Sequence, residues 1–218
     1  MLEATERIVV SKDWITIVLL IAVTLLILNR LKSNDRYYKL KNLLFNNTYI
    51  NSFSKANPLL FNSFSIIFLA VYVIIISFLL FIIVHLVEPE MASYDFLFYL
   101  KIAFVVCVFF AIRIIAGLLL GILIEKERIQ KHFTFLKASY LSNYSLIMLP
   151  LIAIHFYINS TIYSYFLLIT AAALFLYYYV LLVKTNQSLV FGKSFYFILY
   201  LCTLEIAPFI IMIKYFIL

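Results

Sequence analysis

Six stretches of this chain stay apolar for 18 or more residues, and that single feature restricts the fold more than any motif does. They run at about 14–31, 64–87, 96–124, 138–158, 164–183 and 195–218. An α-helix rises about 1.5 Å per residue, so runs of this length match a hydrocarbon core of about 30 Å. A transmembrane β-barrel would show short segments of alternating polarity instead. Composition agrees: 66% of the 218 residues are hydrophobic and 12% charged, against about half and about a quarter in soluble domains. The expected fold is all-α, a polytopic bundle of six transmembrane helices. Residues 1–218 form one domain, because no polar stretch is long enough for a second.

Orientation follows from the basic residues. The connections 30–63, 125–137 and 184–194 hold six, four and two Lys/Arg, whereas the other side has only Arg7 and Lys12. The positive-inside rule then places these three connections in the cytoplasm and both termini on the outer, periplasmic side. The net charge of +7 reads as membrane orientation, so no nucleic-acid partner is expected. The first apolar stretch lacks a basic lead and a small-residue cleavage site, and is read as a retained helix. Trp14 at its start is placed as an interfacial anchor. Within 30–63, Lys32, Arg36 and Lys39 share one helical face and Tyr37, Leu40 and Leu44 the other. That pattern fits a short helix on the membrane surface facing anionic lipid. Ile129, Phe133 and Leu136 in the second connection are expected to face lipid likewise.

The third stretch carries the features around which the chain is expected to be organised. Arg113, Gly117 and Gly121 are spaced i, i+4, i+8 and stack on one helical face. Small residues there allow another helix to approach closely in lipid. Glu205 is the only acidic residue inside an apolar stretch. Counted from the cytoplasmic ends of their helices, Arg113 and Glu205 lie at depths of about 18 and 16 Å. An intramembrane ion pair near the bilayer centre is therefore expected, since either charge alone is costly there. Pro208 beside Glu205, like Pro150 in the fourth stretch, is expected to interrupt its helix.

Near the outer ends, His85, Glu88, Lys101 and His155 form a candidate polar cluster, but their spacing is not that of a metal site. Neither metal nor cofactor is expected. Cys107 and Cys202 have no CxxC spacing. The Tyr177-Tyr178-Tyr179 run reads as an interface anchor, and Asn29 and Asn143 as helix caps. Zincin, nucleophile-elbow, P-loop and dinucleotide signatures are all missing from the sequence.

Several short runs carry a resemblance to a known family. They are Asn57-Pro58-Leu-Leu-Phe61-Asn62, Arg113-Ile-Ile-Ala-Gly117, and Lys137-Ala-Ser139-Tyr140 ahead of Pro150. With them the chain resembles a family of uncharacterised inner-membrane proteins from Bacteroidota, a domain of unknown function. The third helix, loop and proline-bearing fourth helix also look like the Yip1-type membrane domain. The resemblance implies a multi-pass protein of the bacterial inner membrane and supplies no activity. The resulting expectation is a non-catalytic scaffold or accessory subunit of a membrane complex. Its partners would be the bilayer, anionic lipid at the cytoplasmic face and another membrane protein. The alternative is a small transporter or channel using Arg113 and Glu205.

Overall fold

The structure, a computed structural model, describes residues 13–44, 46, 48–53, 62–87, 95–123, 127–158 and 160–185. Among the described residues all regular structure is helical, and a helix satisfies its backbone polar groups within one segment, as a span in lipid requires. Five helices are long and apolar enough to cross a membrane: α1 (Asp13–Lys32), α4 (Ser63–Val87), α5 (Phe96–Leu123), α6 (Glu127–Ile158) and α7 (Thr161–Thr185). Two short helices, α2 (Asn34–Lys41) and α3 (Thr48–Phe53), lie between α1 and α4, with a 3-10 turn at Asn42–Leu44. The sixth expected span, 195–218, lies outside the described residues, and Glu205 and Pro208 with it.

The centre of the bundle is α4, not the expected third stretch. Its most apolar window is 61% buried, against 22% for the windows in α1, α5 and α7. It packs against α1, α5 and, most extensively, α6, which in turn holds α7. The sequence explains this division. Lipid is as apolar as leucine, so hydrophobicity alone does not choose which helix goes inside. Shape does, and α4 offers bulky side chains all round: Phe64, Phe68, Tyr72, Ile75, Phe78, Phe81 and Ile82 are all buried.

Each peripheral helix buries only a narrow stripe. On α1 it is Ile15, Leu19, Ala22, Leu26 and Asn29, with alternating steps of four and three. On α5 it is Tyr99, Ile102, Val106 and Phe110, at steps of three, four and four, and on α7 Ser164, Leu167, Ala171, Tyr178 and Leu182, at steps of three, four, seven and four. Steps of three and four residues keep each stripe on one face of its helix. Ala22, fully buried, sets how closely α1 can approach.

Trp14, expected as an interfacial anchor, is partly buried at the start of α1. Its ring packs among Phe78 and Phe81 of α4 and Phe96 and Tyr99 of α5, with ring centroids 5.2–6.4 Å away. This aromatic cluster ties the start of α1 to the far end of α4.

At the opposite end, α6 begins at Glu127, eleven residues earlier than the sequence reading placed it. No glycine or proline interrupts residues 127–149, and Glu, Arg, Gln and Lys are good helix formers. Phe133 and Leu136 were expected against lipid but are buried in protein, 3% and 0% exposed. Pro150 does not end α6; it sits exposed on a helix that continues to Ile158.

The segment between α1 and α4 differs from the expectation in the same sense. Leu40, Leu43, Tyr49 and Ile50 are all buried in the core of the protein, so the apolar side of α2–α3 faces the bundle and not the bilayer. Its outer side carries Arg36 and Lys39, whose charged ends lie 4.7 and 5.4 Å from the centre of the Phe53 ring. Lys39 also reaches Ser52 Oγ at 3.5 Å. Cation and ring attract through the ring quadrupole, which holds α2 and α3 together as one layer.

Candidate functional site

Polar groups buried among the described residues are few, and two asparagines among them join elements. Asn29 and Asn143 do not cap their own helices. Asn29 is fully buried, and its Nδ2 donates to the Phe64 carbonyl at 3.0 Å. This fastens the end of α1 to the start of α4, while Asn29 Oδ1 is buried with no donor among the described residues. Asn143 is 1% exposed on α6. Its Nδ2 donates to the carbonyl of Leu40 at 2.5 Å and to that of Lys41 at 3.3 Å, at the end of α2. Its Oδ1 accepts from the Tyr178 hydroxyl of α7 at 2.6 Å.

One amide therefore joins α2, α6 and α7. The carbonyls it reaches belong to the last turn of α2, where backbone acceptors have no partner within their own helix. The neighbouring serines are satisfied within α6. The hydroxyls of Ser139, Ser142 and Ser145 donate to the carbonyls four residues earlier, at 2.6–2.9 Å. Tyr178 is accordingly no interface anchor: it is 4% exposed and rings with Tyr140 and Tyr144.

Immediately beside this junction lies a cleft between α5, α6 and α7. It is lined by Arg113, Lys137, Tyr140, Leu141, Phe175, Tyr178, Tyr179 and Leu182, with a volume of about 20 Å³. Such a volume accepts about one water-sized group. Arg113 continues the inward stripe of α5 and is half-buried, its guanidinium 5.8 Å from the centre of the Phe110 ring. Gly117 follows on that stripe, also half-buried. Gly121 belongs to the same helix, but its surroundings lie outside the described residues. The Arg113–Glu205 pair has only its Arg113 member within them.

The expected outer cluster is spread over three helices. His155, buried on α6, has Nδ1 3.5 Å from the Ser164 hydroxyl of α7 and stacks on Tyr163 at 6.1 Å. His85 is half-buried near the end of α4, and Lys101 is exposed on α5. Glu88 lies outside the described residues. Among the described residues no three His, Cys, Asp or Glu side chains are grouped as metal ligands would be.

Sequence reasoning missed Lys137 and Tyr178 as neighbours of Arg113. A signal was present on α6, where Lys137, Tyr140 and Tyr144 are spaced i, i+3, i+7 and so share one face.

Five helices of a length and composition that could cross a membrane, packed around an aromatic centre, are those of a multi-pass helical membrane protein. The chain belongs to the family described as a domain of unknown function (DUF4271), whose model matches residues 15–216. No curated protein and no solved structure matches it significantly.

Proposed function

We propose that the chain is a non-catalytic scaffold or accessory subunit of a complex in the bacterial inner membrane. The observation that carries this reading is the α2–α3 layer. It is built onto the bundle through the bonds from Asn143 to Leu40 and Lys41 and through the buried Leu40, Leu43 and Tyr49. Such a layer presents a fixed surface at one end of the bundle, which is what a docking subunit needs. It also holds Arg36, Lys39 and Lys41 at the end where the basic connections collect. Under the positive-inside rule that end is cytoplasmic and both termini are outside.

Packing at the centre supports a static role over transport. Between α4, α5 and α6, Tyr72 meets Phe110 and Tyr144 ring to ring, Phe78 meets Tyr99 and Phe156, and Met148 of α6 is fully buried. A transporter would need a path there that opens in alternation.

Site-specific photo-crosslinking from Ser52 and Lys41, both exposed, tests the reading in native membranes. The expected result is one discrete adduct, lost in Asn143→Ala while the amount of protein in the membrane is unchanged. Ion or solute flux by the purified protein alone in vesicles, abolished by Arg113→Gln, would overturn it in favour of the transporter.

A further inference from the structure

The fold of the α2–α3 layer brings two cations to one place. Arg36 and Lys39 stand three apart on α2 and so share a face, with Phe53 of α3 beneath both. The Arg36 guanidinium carbon is 4.7 Å and Lys39 Nζ 5.4 Å from the centre of that ring. Lys39 Nζ also donates to the exposed Ser52 Oγ at 3.5 Å. Both cations are half-buried. Asp35, one turn before Lys39, is exposed and makes no ion pair with either among the described residues.

The level of this seat follows from the helices it packs on. Tyr49, whose ring lies 5.2 Å from that of Phe53, stacks on Phe135 of α6, and Tyr37 stacks on Phe68 of α4 at 6.3 Å. Phe135 lies 23 residues before Ile158, and Phe68 lies 19 before Val87. At about 1.5 Å per residue, the two rings are about 34 and 28 Å from the far ends of α6 and α4. A hydrocarbon core is about 30 Å thick. With Ile158 and Val87 at one boundary, the seat stands at the other, where lipid phosphates lie. Tyr38, beside Lys39 in the chain and 67% exposed, suits that level, since an amphipathic ring settles between core and water.

Two cations held side by side repel each other, and an anion placed between them offsets this. Arg matches phosphate oxygens with two parallel N–H donors, and Lys adds a point charge. The Ser52 hydroxyl, which accepts from Lys39, still has its own proton to donate. Phe53 restricts both long side chains before any ligand arrives, which lowers the ordering cost of binding. We propose that Arg36, Lys39 and Ser52, gathered over Phe53, bind the phosphate group of an anionic membrane lipid. The apolar side of α2–α3 stays packed on the bundle, so the lipid meets the layer from outside and through its headgroup. This site is independent of the scaffold reading: a lipid can sit here whether or not a protein docks on the same layer. Free inorganic phosphate and an acidic segment of a partner protein are its chemical rivals.

Full-length protein in detergent micelles, given phosphatidylglycerol, phosphatidylcholine or inorganic phosphate, tests the assignment by native mass spectrometry. Phosphatidylglycerol is expected to be retained preferentially. A cation near an anionic headgroup is worth about fivefold in binding. Arg36→Gln and Lys39→Gln should each lower retention by about that factor, and Arg36→Lys should recover part of it. Lys184→Gln is the control. It removes an exposed cation at the end of α7, about 34 Å from Thr161 and so at the same level, and should leave retention unchanged. Melting without lipid shows whether each variant folds; if Arg36→Gln does not, Lys39→Gln and Arg36→Lys still decide. Equal loss in Lys184→Gln would mean diffuse attraction and overturn the site. Binding of inorganic phosphate with no preference between the two lipids would overturn the lipid as the source of the anion. No anion bound, with the crosslinked adduct from Lys41 lost in Arg36→Gln, would assign the cations to an acidic protein partner and overturn the lipid. Retention of phosphatidylglycerol with no crosslinked adduct would leave the site standing and remove the scaffold reading alone.

Discussion

The Tyr178 hydroxyl donates to Asn143 Oδ1 at 2.6 Å, in a pair 35 residues apart that joins α7 to α6. Because the same Asn143 amide holds the end of α2, Tyr178 also controls the α2–α3 layer that it does not itself touch through any of these bonds. The amide is donor on one side and acceptor on the other, so the hydroxyl fixes which way round it stands.

Removing the hydroxyl leaves a buried acceptor without its donor. Tyr178→Phe is expected to cost about 1 kcal/mol, within the range of side-chain hydrogen bonds in membrane bundles. Asn143→Leu removes three bonds and leaves the α2 carbonyls without their side-chain partner, for which about 2–4 kcal/mol is expected. In the double variant the Tyr178 effect should largely vanish, since its acceptor has gone. Thermal unfolding in a single detergent, run on all four proteins, gives the coupling. Additive losses would mean that the pair does not work as a unit.

Asn29 should respond differently although it is equally buried. It makes one bond, to Phe64, and leaves Oδ1 without a donor among the described residues. Asn29→Leu gives up the bond but also removes that acceptor, so the two effects oppose each other. The expected change is within about 1 kcal/mol, smaller than for Asn143→Leu in the same assay. A loss as large as that for Asn143 would contradict this account.

These two asparagines also show where sequence reading stops. The long apolar runs placed five helices to within a few residues of their observed ends, save for the start of α6. That start was obscured because charged residues were read as a connection, although nothing in 127–137 breaks a helix. Lipid-facing and protein-facing positions are equally apolar, so the stripe through Ile15, Leu19, Ala22, Leu26 and Asn29 carried no contrast of polarity. For the same reason α4 did not stand out as the centre. Arg113 was visible as a charge in an apolar run. Its neighbours Lys137 and Tyr178 come from other helices, and only packing brings them together.

Trp14 is the only tryptophan in the chain, so its fluorescence reports directly on the cluster with Phe78, Phe81, Phe96 and Tyr99. Trp14 is partly buried, so these rings screen its indole from much of the water and lipid around it. Its emission should therefore be blue-shifted, with weak quenching by acrylamide and by brominated lipid alike. Phe78→Ala opens one side of the cluster and should raise quenching while costing about 3–5 kcal/mol of stability. Strong quenching by headgroup-level probes in the native protein would restore the interfacial-anchor reading.

Tyr49 gives the α2–α3 layer a dependence on alkaline pH. It is 3% exposed, and its ring stacks on Phe135 of α6 at 5.9 Å. Burial pushes its phenol from 10.0 up to about 12, although the Arg36 charge and a hydrogen bond with Ser139 pull the other way. Since the folded-state value is the higher one, the unfolded chain loses this proton first as pH rises. The stabilisation is thus fully present below about pH 10 and is lost between about pH 10 and 12, on the order of 2–3 kcal/mol in all. Melting temperature measured against pH should fall more steeply in that window for the native protein than for Tyr49→Phe, which has no proton to lose. The difference should be absent at neutral pH once the constant offset between the two proteins is subtracted. Parallel curves throughout would mean that Tyr49 is wetter than its packing against Phe135 and Phe53 allows.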